Sequence, residues 1–193
     1  DIGAMEKMSE VMGKRGPDGR GLHLQGDIAL GHRRLKIIDL SERAHQPMVD
    51  NALGLNIVFN GCIYNYPELR TELESKGYRF FSSGDTEVIL KAYHRWGPDC
   101  VKRFNGMFAF AIAERDSGKV FLARDRLGIK PLYFSANAGR LAFASSLPAL
   151  VAGGEIDTRI DPAALNSYLT LHSVVPAPKT ILKGVSKLAP ANW

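Results

Sequence analysis

The run Met107-Phe108-Ala109-Phe110-Ala111-Ile112-Ala113 constrains the fold more than any other stretch of this chain. In an extended strand Phe108, Phe110 and Ile112 point one way and the alanines point the other. Both sides are apolar, so the strand belongs in the middle of a sheet covered on both faces. Leu55-Asn56-Ile57-Val58-Phe59 is a second short apolar run of the kind buried on both sides. Helical patterns lie between these two runs. Stacked sheet layers with outer helices follow.

The remaining elements are read from periodicity and turn chemistry. Met5, Met8 and Met12 predict a helix over 4–13, which Arg15-Gly16-Pro17-Asp18-Gly19 breaks. Strands are expected at 21–25 and 28–39, and a loop at 41–54. Asn65, with Glu68 three residues on, predicts a capping box for a helix with Leu69 and Leu73 inward and Gly77 at its end. Asp85 or Thr86 is expected to cap a second helix, with Val88, Ile89, Ala92, Tyr93 and Trp96 as its buried stripe and Gly97 as its stop. Asp116-Ser117-Gly118-Lys119 turns the central strand into a partner at 120–123. Further hairpin strands are expected at 132–134 and 141–144, joined by Asn137-Ala138-Gly139. A helix near 162–169 leads to Val175-Pro176-Ala177-Pro178, which fits neither a helix nor a central strand and reads as a linker.

Composition narrows the function. At 193 residues and 45% hydrophobic, the chain suits one domain with a real core and room for a short appendage. No apolar stretch has membrane-spanning length, and no signal peptide is visible. The net charge is +5, but Lys and Arg are scattered, which describes a solvated surface rather than a nucleic-acid face. Cys62 and Cys100 form no disulfide framework and no metal-site spacing, so a reducing, cytoplasmic setting is expected. Both ends read as cut from a longer chain.

The residues with chemical content follow the second apolar run, in Asn60-Gly61-Cys62-Ile63-Tyr64-Asn65. An Asn-Gly pair at a strand end predicts a tight turn exposing an amide side chain and a bare N–H. Two such donors together can hold an oxyanion. The run resembles the Asn-Gly-Glu-Ile-Tyr-Asn signature of class II glutamine amidotransferases. Arg15–Gly19, Arg34–Leu40, Gly84-Asp85-Thr86-Glu87, Gly106–Ala111 and Arg124–Tyr133 are similar, in order and spacing, to other signatures of the asparagine synthetase family. Val175–Ile181 resembles that family's passage into an ATP-using synthetase domain.

The resemblance implies an α+β chain with a four-layer αββα Ntn-hydrolase sandwich, two antiparallel sheets flanked by helices. It implies an amidotransferase domain over 1–160 and, over 161–193, a connection toward a C-terminal synthetase domain. It implies hydrolysis of the glutamine side-chain amide and delivery of ammonia to that second domain, where aspartate is amidated. No cofactor is implied for the first domain; ATP and Mg belong to the second. Glutamine and the synthetase domain are the implied partners, with a homodimer allowed and neither nucleic acid nor membrane. The nucleophile would be a cysteine exposed at the chain start by loss of Met, with its own α-amino group as base. That residue is expected upstream of Asp1, so residues 1–193 alone are expected to be inactive.

Each site residue carries a functional and a plainer reading. Arg34 would grip the α-carboxylate through a two-pronged, charge-assisted pair, or make a surface salt bridge. Asp85 would receive the α-ammonium, or cap a helix, or both. Asn60 and Gly61 would form the oxyanion hole, or an ordinary turn. Backbone groups of Leu35, Lys36, Ile37 and Ile38 would line the glutamine pocket. His32, His45 and His172 show no metal spacing and read as structural or exposed. The Arg124–Pro131 loop reads as a contact for the second domain or a solvated connection.

The sequence departs from the family pattern at three visible places. Cys62 replaces a glutamate that helps hold the substrate ammonium, a change expected to weaken glutamine binding by ~1.5–3 kcal/mol. Lys14 stands where His is usual, and Ser146 where an acidic residue is common. Two other readings therefore stand beside the glutaminase: a degenerate, non-catalytic amidotransferase module, and an amidotransferase serving a saccharide or β-lactam acceptor.

Overall fold

A computed structural model describes residues 1–137 and 139–193. Its central layer is a four-stranded antiparallel sheet in the order β3(Met48–Asp50), β4(Leu55–Ile63), β5(Gly106–Glu114), β6(Val120–Arg124). The register sets Phe59 opposite Phe110 and Gly61 opposite Phe108. As the alternation predicts, Phe108, Phe110 and Ile112 enter one core and Ala111 and Ala113 the other.

The large-residue face packs under α2(Tyr66–Ser75) and α3(Asp85–Trp96). Leu69 and Leu73 from α2 and Val88, Ile89, Leu90 and Ala92 from α3 are buried there, together with Phe104. A fully buried Leu, Ile or Phe contributes about 1.5–3 kcal/mol, so this face anchors the layer order. Gly77 and Gly97, both with positive φ, end the two helices where the sequence places their stops.

The alanine face is covered by two separate antiparallel ladders. One is β1(Gly19–Gln25) with β2(Ile28–Arg34). The other has the order β8(Arg140–Ala144), β7(Tyr133–Asn137), β9(Ser186–Lys187). Leu30 and Ile28 from β2 and Phe143 from β8 meet Val58, Ala111 and Ala113 across the gap between sheet layers. Outside the second ladder lie α1(Ile2–Val11) and α4(Leu147–Ala152), whose Met8, Ala149 and Leu150 pack with Tyr133, Ala142 and Ala144. The stack is helix, sheet, sheet, helix. In the stretch 161–193, α5(Pro162–Thr170) is capped by Asp161, and β9 pairs with β7. Val175–Pro178 is irregular. Ala138, in the expected hairpin connection, lies outside the described residues.

Several local expectations are corrected. The strand expected over 28–39 ends at Arg34, because the Arg34 side chain pulls the following loop back onto itself. The expected loop 41–54 contains the short strand β3, whose Met48 pairs with Ile57. Asn65 precedes α2 but makes no capping box; its amide donates to Arg103 O and its Oδ1 accepts from Asn105 N, which ties α2 to β5 instead. Neither Asp85 nor Thr86 caps α3; Gly84 holds that position and Asp85 is the first helical residue.

Candidate functional site

The site is built along the edge of β4. The tight turn expected at Asn60-Gly61 is absent: both residues lie inside the strand, facing Ala109 and Phe108 of β5. Glycine is required there for close approach. A Cβ on Gly61 would run into Met107 O and lie 2.8 Å from Phe108 Cα.

Strand alternation then decides which backbone groups are free. Tyr64 N donates to Asn105 O, on the β5 side. Phe59 N and Ile63 N point the opposite way and are met by side chains: Gln46 Oε1 at 2.7 Å and Asp85 Oδ2 at 3.0 Å. Gly61 lies midway between them, so its N–H faces the same edge. The ladder to β3 stops at Ile57 and leaves that edge without a neighbouring strand. Asn60 is half-buried, and its amide is not committed to the hydrogen bonds that fix this part of the strand. The oxyanion reading of Asn60 and Gly61 thus rests on a strand edge.

Arg34, at the end of β2, is buried. Its Nη1 donates to Ser41 O at 2.9 Å and its Nη2 donates to Asp39 O. Both partners are neutral carbonyls. The plainer reading, a surface salt bridge, does not describe this arginine.

The loop it holds is not the strand end expected for Leu35–Ile38. Leu35 is 54% and Ile37 74% exposed. Lys36 N is already taken by Asp18 Oδ2 at 2.9 Å, and Ile38 is half-buried.

Asp39, which sequence reasoning passed over, joins the two halves of the site. Its Oδ2 accepts from Ser83 N at 2.8 Å and Ser83 Oγ at 2.9 Å, and its Oδ1 accepts from Ser41 N at 2.8 Å. Burial works against its charge, but the bonds from Ser41 and Ser83 prevail and hold its carboxyl well below the usual carboxylate range. Ser83 leads through Gly84 into Asp85. Asp85 shows the opposite balance: burial pushes its carboxyl up, against N–H donors from Ile63, its own backbone and Thr86.

Gln46 was not singled out, and His32, read as structural or exposed, proves structural. Gln46 is buried, with its Oε1 on Phe59 N and its Nε2 donating to Thr86 Oγ1 at 3.5 Å. His32 Nε2 lies 3.2 Å from Phe59 O, which accepts only, so this nitrogen carries the hydrogen. Its Nδ1 is a buried acceptor without a partner among the described residues. Burial, with the charges of Arg34 and His45, lowers the His32 pKa to about 4 despite that bond, so the ring is neutral. A signal existed for Gln46: it follows a polar loop immediately before Pro47. For His32 nothing in the sequence marked which group it would meet.

Neither cysteine is an activated nucleophile. Burial raises Cys62, the Asp85 charge raises it further, and Lys130 opposes both. Burial pushes Cys100 up to about 12. Both remain thiols at neutral pH. The Arg124–Pro131 loop is organised inwardly. Asp125 accepts from four backbone N–H groups, of Phe108, Leu127, Ile129 and Lys130, while Leu127 and Ile129 project outward. Among the described residues no helix is long and apolar enough to cross a membrane.

Two antiparallel sheet layers between helices, with polar side chains gathered at one strand edge, define an Ntn-hydrolase-type domain. The chain superposes on the glutamine phosphoribosylpyrophosphate amidotransferase of Bacillus subtilis with a TM-score of 0.55 and 26% identity, over 65% of this chain and 29% of that one. A family model described as "Glutamine amidotransferase domain" matches residues 2–193. The chain is 35% identical to asparagine synthetase [glutamine-hydrolyzing] 3 of Bacillus subtilis, over 97% of its own length and 31% of that protein's. It is 39% identical to putative asparagine synthetase [glutamine-hydrolyzing] 2 of Methanocaldococcus jannaschii, over 95% of its own length and 39% of that protein's. It belongs to the glutamine amidotransferase domain family. It spans about a third of the length of these curated relatives.

Proposed function

We propose that residues 1–193 are the glutamine-handling domain of a glutamine-hydrolysing asparagine synthetase. The observation that carries this reading is the convergence of a buried arginine bound only to neutral carbonyls, a buried aspartate, and a strand edge with one N–H left over. An α-amino acid with a side-chain amide offers the matching set: an anion, a cation and a carbonyl oxygen. Arg34 takes the α-carboxylate, Asp85 the α-ammonium, and Gly61 N–H with the Asn60 amide polarises the carbonyl. Donors aimed at the oxygen where charge develops are worth ~3 kcal/mol each in barrier.

The attacking thiol in this reading is the family's N-terminal cysteine, not Cys62. Cys62 has no base beside it, and Asp85 disfavours its thiolate. Residues 1–193 alone therefore bind glutamine without hydrolysing it. The released ammonia goes to a synthetase domain in the same chain, which uses ATP and Mg to amidate aspartate. The one-third coverage of the relatives supports such a longer chain.

The test is the longer protein with its natural N-terminus, supplied with aspartate, ATP and amide-labelled glutamine. Labelled asparagine and glutamate are expected. Glutamate without asparagine would redirect the proposal to another acceptor. No glutamate at all would leave the non-catalytic module, the reading that Cys62 favours.

A further inference from the structure

Asp39 lies within the Arg34–Leu40 run but has no site role of its own there, yet it is bonded to both halves of the site. Its main-chain oxygen accepts from Arg34 Nη2. Its carboxylate accepts from Ser83 N and Ser83 Oγ, 44 positions away in sequence, and from Ser41 N. Ser41 O in turn accepts from Arg34 Nη1. Gly84 packs so closely on Asp39 that an added Cβ would lie 3.2 Å from the Asp39 Cβ. Asp85 follows directly and is pinned to Ile63 N.

The two ends of an amino acid are a fixed few ångströms apart, so groups that bind both must be held at a matching distance. Arg34 leaves β2 into an exposed loop, and Asp85 starts α3 after the irregular stretch 79–84. Neither loop is held to the other by a strand ladder. The Asp39–Ser83 bonds take that place.

We propose that Asp39 is a positioning residue: it ties the loop that carries the Arg34 contacts to the loop that carries Asp85, and so sets the spacing between the carboxylate-binding and ammonium-binding arms. This rests on the glutamine reading given above. Asp39 touches no substrate in this role. It makes the two arms act together, and the energetic signature is a coupling between the two ends of the ligand.

The experiment uses three ligands titrated into the chain by NMR. These are L-glutamine, glutaramate (no α-ammonium) and 4-aminobutanamide (no α-carboxylate). Asp39→Asn keeps the side-chain shape but cannot accept from Ser83 N and Ser41 N together. It is expected to weaken L-glutamine about tenfold or more. Each one-ended analogue, which needs only one arm, should weaken less than about threefold. Ser83→Ala removes only the hydroxyl donor and should show the same pattern, about threefold for L-glutamine. It carries the test if Asp39→Asn lowers the thermal midpoint too far to bind anything. Equal losses for all three ligands, or no loss, overturn the positioning role while leaving glutamine binding intact. A parent chain that binds none of the three overturns the glutamine reading, and this proposal with it.

Discussion

The carboxylate of Asp85 accepts a hydrogen bond from the backbone N–H of Ile63 at 3.0 Å, so the first residue of a helix closes the far end of a strand edge. The bond places a buried carboxylate beside the half-buried stretch Asn60–Cys62 of β4. Burial opposes that charge and raises the Asp85 pKa. The folded chain therefore holds the Asp85 proton to higher pH than the unfolded chain. Between the ordinary carboxylate pKa and the raised one, stability from this group falls as pH rises, and at neutral pH its charge works against folding.

Asp85→Asn should accordingly raise the thermal midpoint of the unliganded chain at neutral pH, since the amide still accepts from Ile63 N without a buried charge. The same variant should lose about 1.5–3 kcal/mol of L-glutamine binding. Calorimetry with differential scanning measures both. A lower midpoint at pH 7 would contradict the sign.

Gly61→Ala should cost about 1–3 kcal/mol, because the new methyl meets Met107 O and the Phe108 backbone, neither of which is a flexible side-chain end. Urea unfolding measures the loss. Gly118→Ala is the comparison: Gly118 has open space around it but a positive φ, so its cost is conformational alone and the β4–β5 spacing stays unchanged.

Cys62→Glu should strengthen L-glutamine binding by about 1.5–3 kcal/mol by supplying a second partner for the α-ammonium. The new carboxylate would share its surroundings with Asp85, so one of the pair should protonate above the usual range. The gain should then shrink as the pH is lowered. Calorimetric titrations at two pH values read this directly; an unchanged dissociation constant would mean that position 62 does not face the ligand.

Lys91→Met should be the most damaging of these changes. Lys91 Nζ pairs with Asp50 Oδ2 at 2.8 Å and Glu87 Oε1 at 3.1 Å, all three side chains being almost wholly buried. Removing the cation leaves two buried carboxylates, a loss of about 3–5 kcal/mol. Denaturant midpoints should show it. Glu87 also accepts from Phe81 N, Ser82 N and Ser82 Oγ, so the segment leading to Asp85 should loosen as well, visible as faster amide exchange at 81–85.

The layers were legible in the sequence because burial on two faces leaves a period-two signature, as at Phe108–Ala113, and burial on one helix face leaves a helical spacing, as at Leu69 and Leu73 of α2; in α3 all of Asp85–Tyr93 is buried, so the expected stripe understates its burial. Leu35, Ile37 and Ile38 carried a strand-like pattern that burial does not support, since Leu35 and Ile37 face solvent. The resemblance to known signatures marked Arg34 and Asp85, and the structure joins them through Asp39 and Ser83. That junction was not legible. It is a pair of bonds from the Ser83 N–H and hydroxyl to one carboxylate across 44 residues, and such bonds have no sequence period. The Asn60-Gly61 pair misled for a related reason. Its glycine serves close approach between strands, which sequence alone does not distinguish from turn formation.

The edge of β4 also bears on strand-to-strand association. An open row of backbone donors and acceptors invites another polypeptide to add a strand, the usual first step of edge-to-edge aggregation. Here Gln46 and Asp85 occupy the donors on either side of Gly61, and the His32 imidazole occupies the Phe59 carbonyl. An incoming strand would need alternate groups along the row, and Phe59 N, Phe59 O and Ile63 N are already taken. A small amide needs only the one in the middle. The same side chains therefore guard this edge against strand addition while leaving one backbone donor, at Gly61, between them.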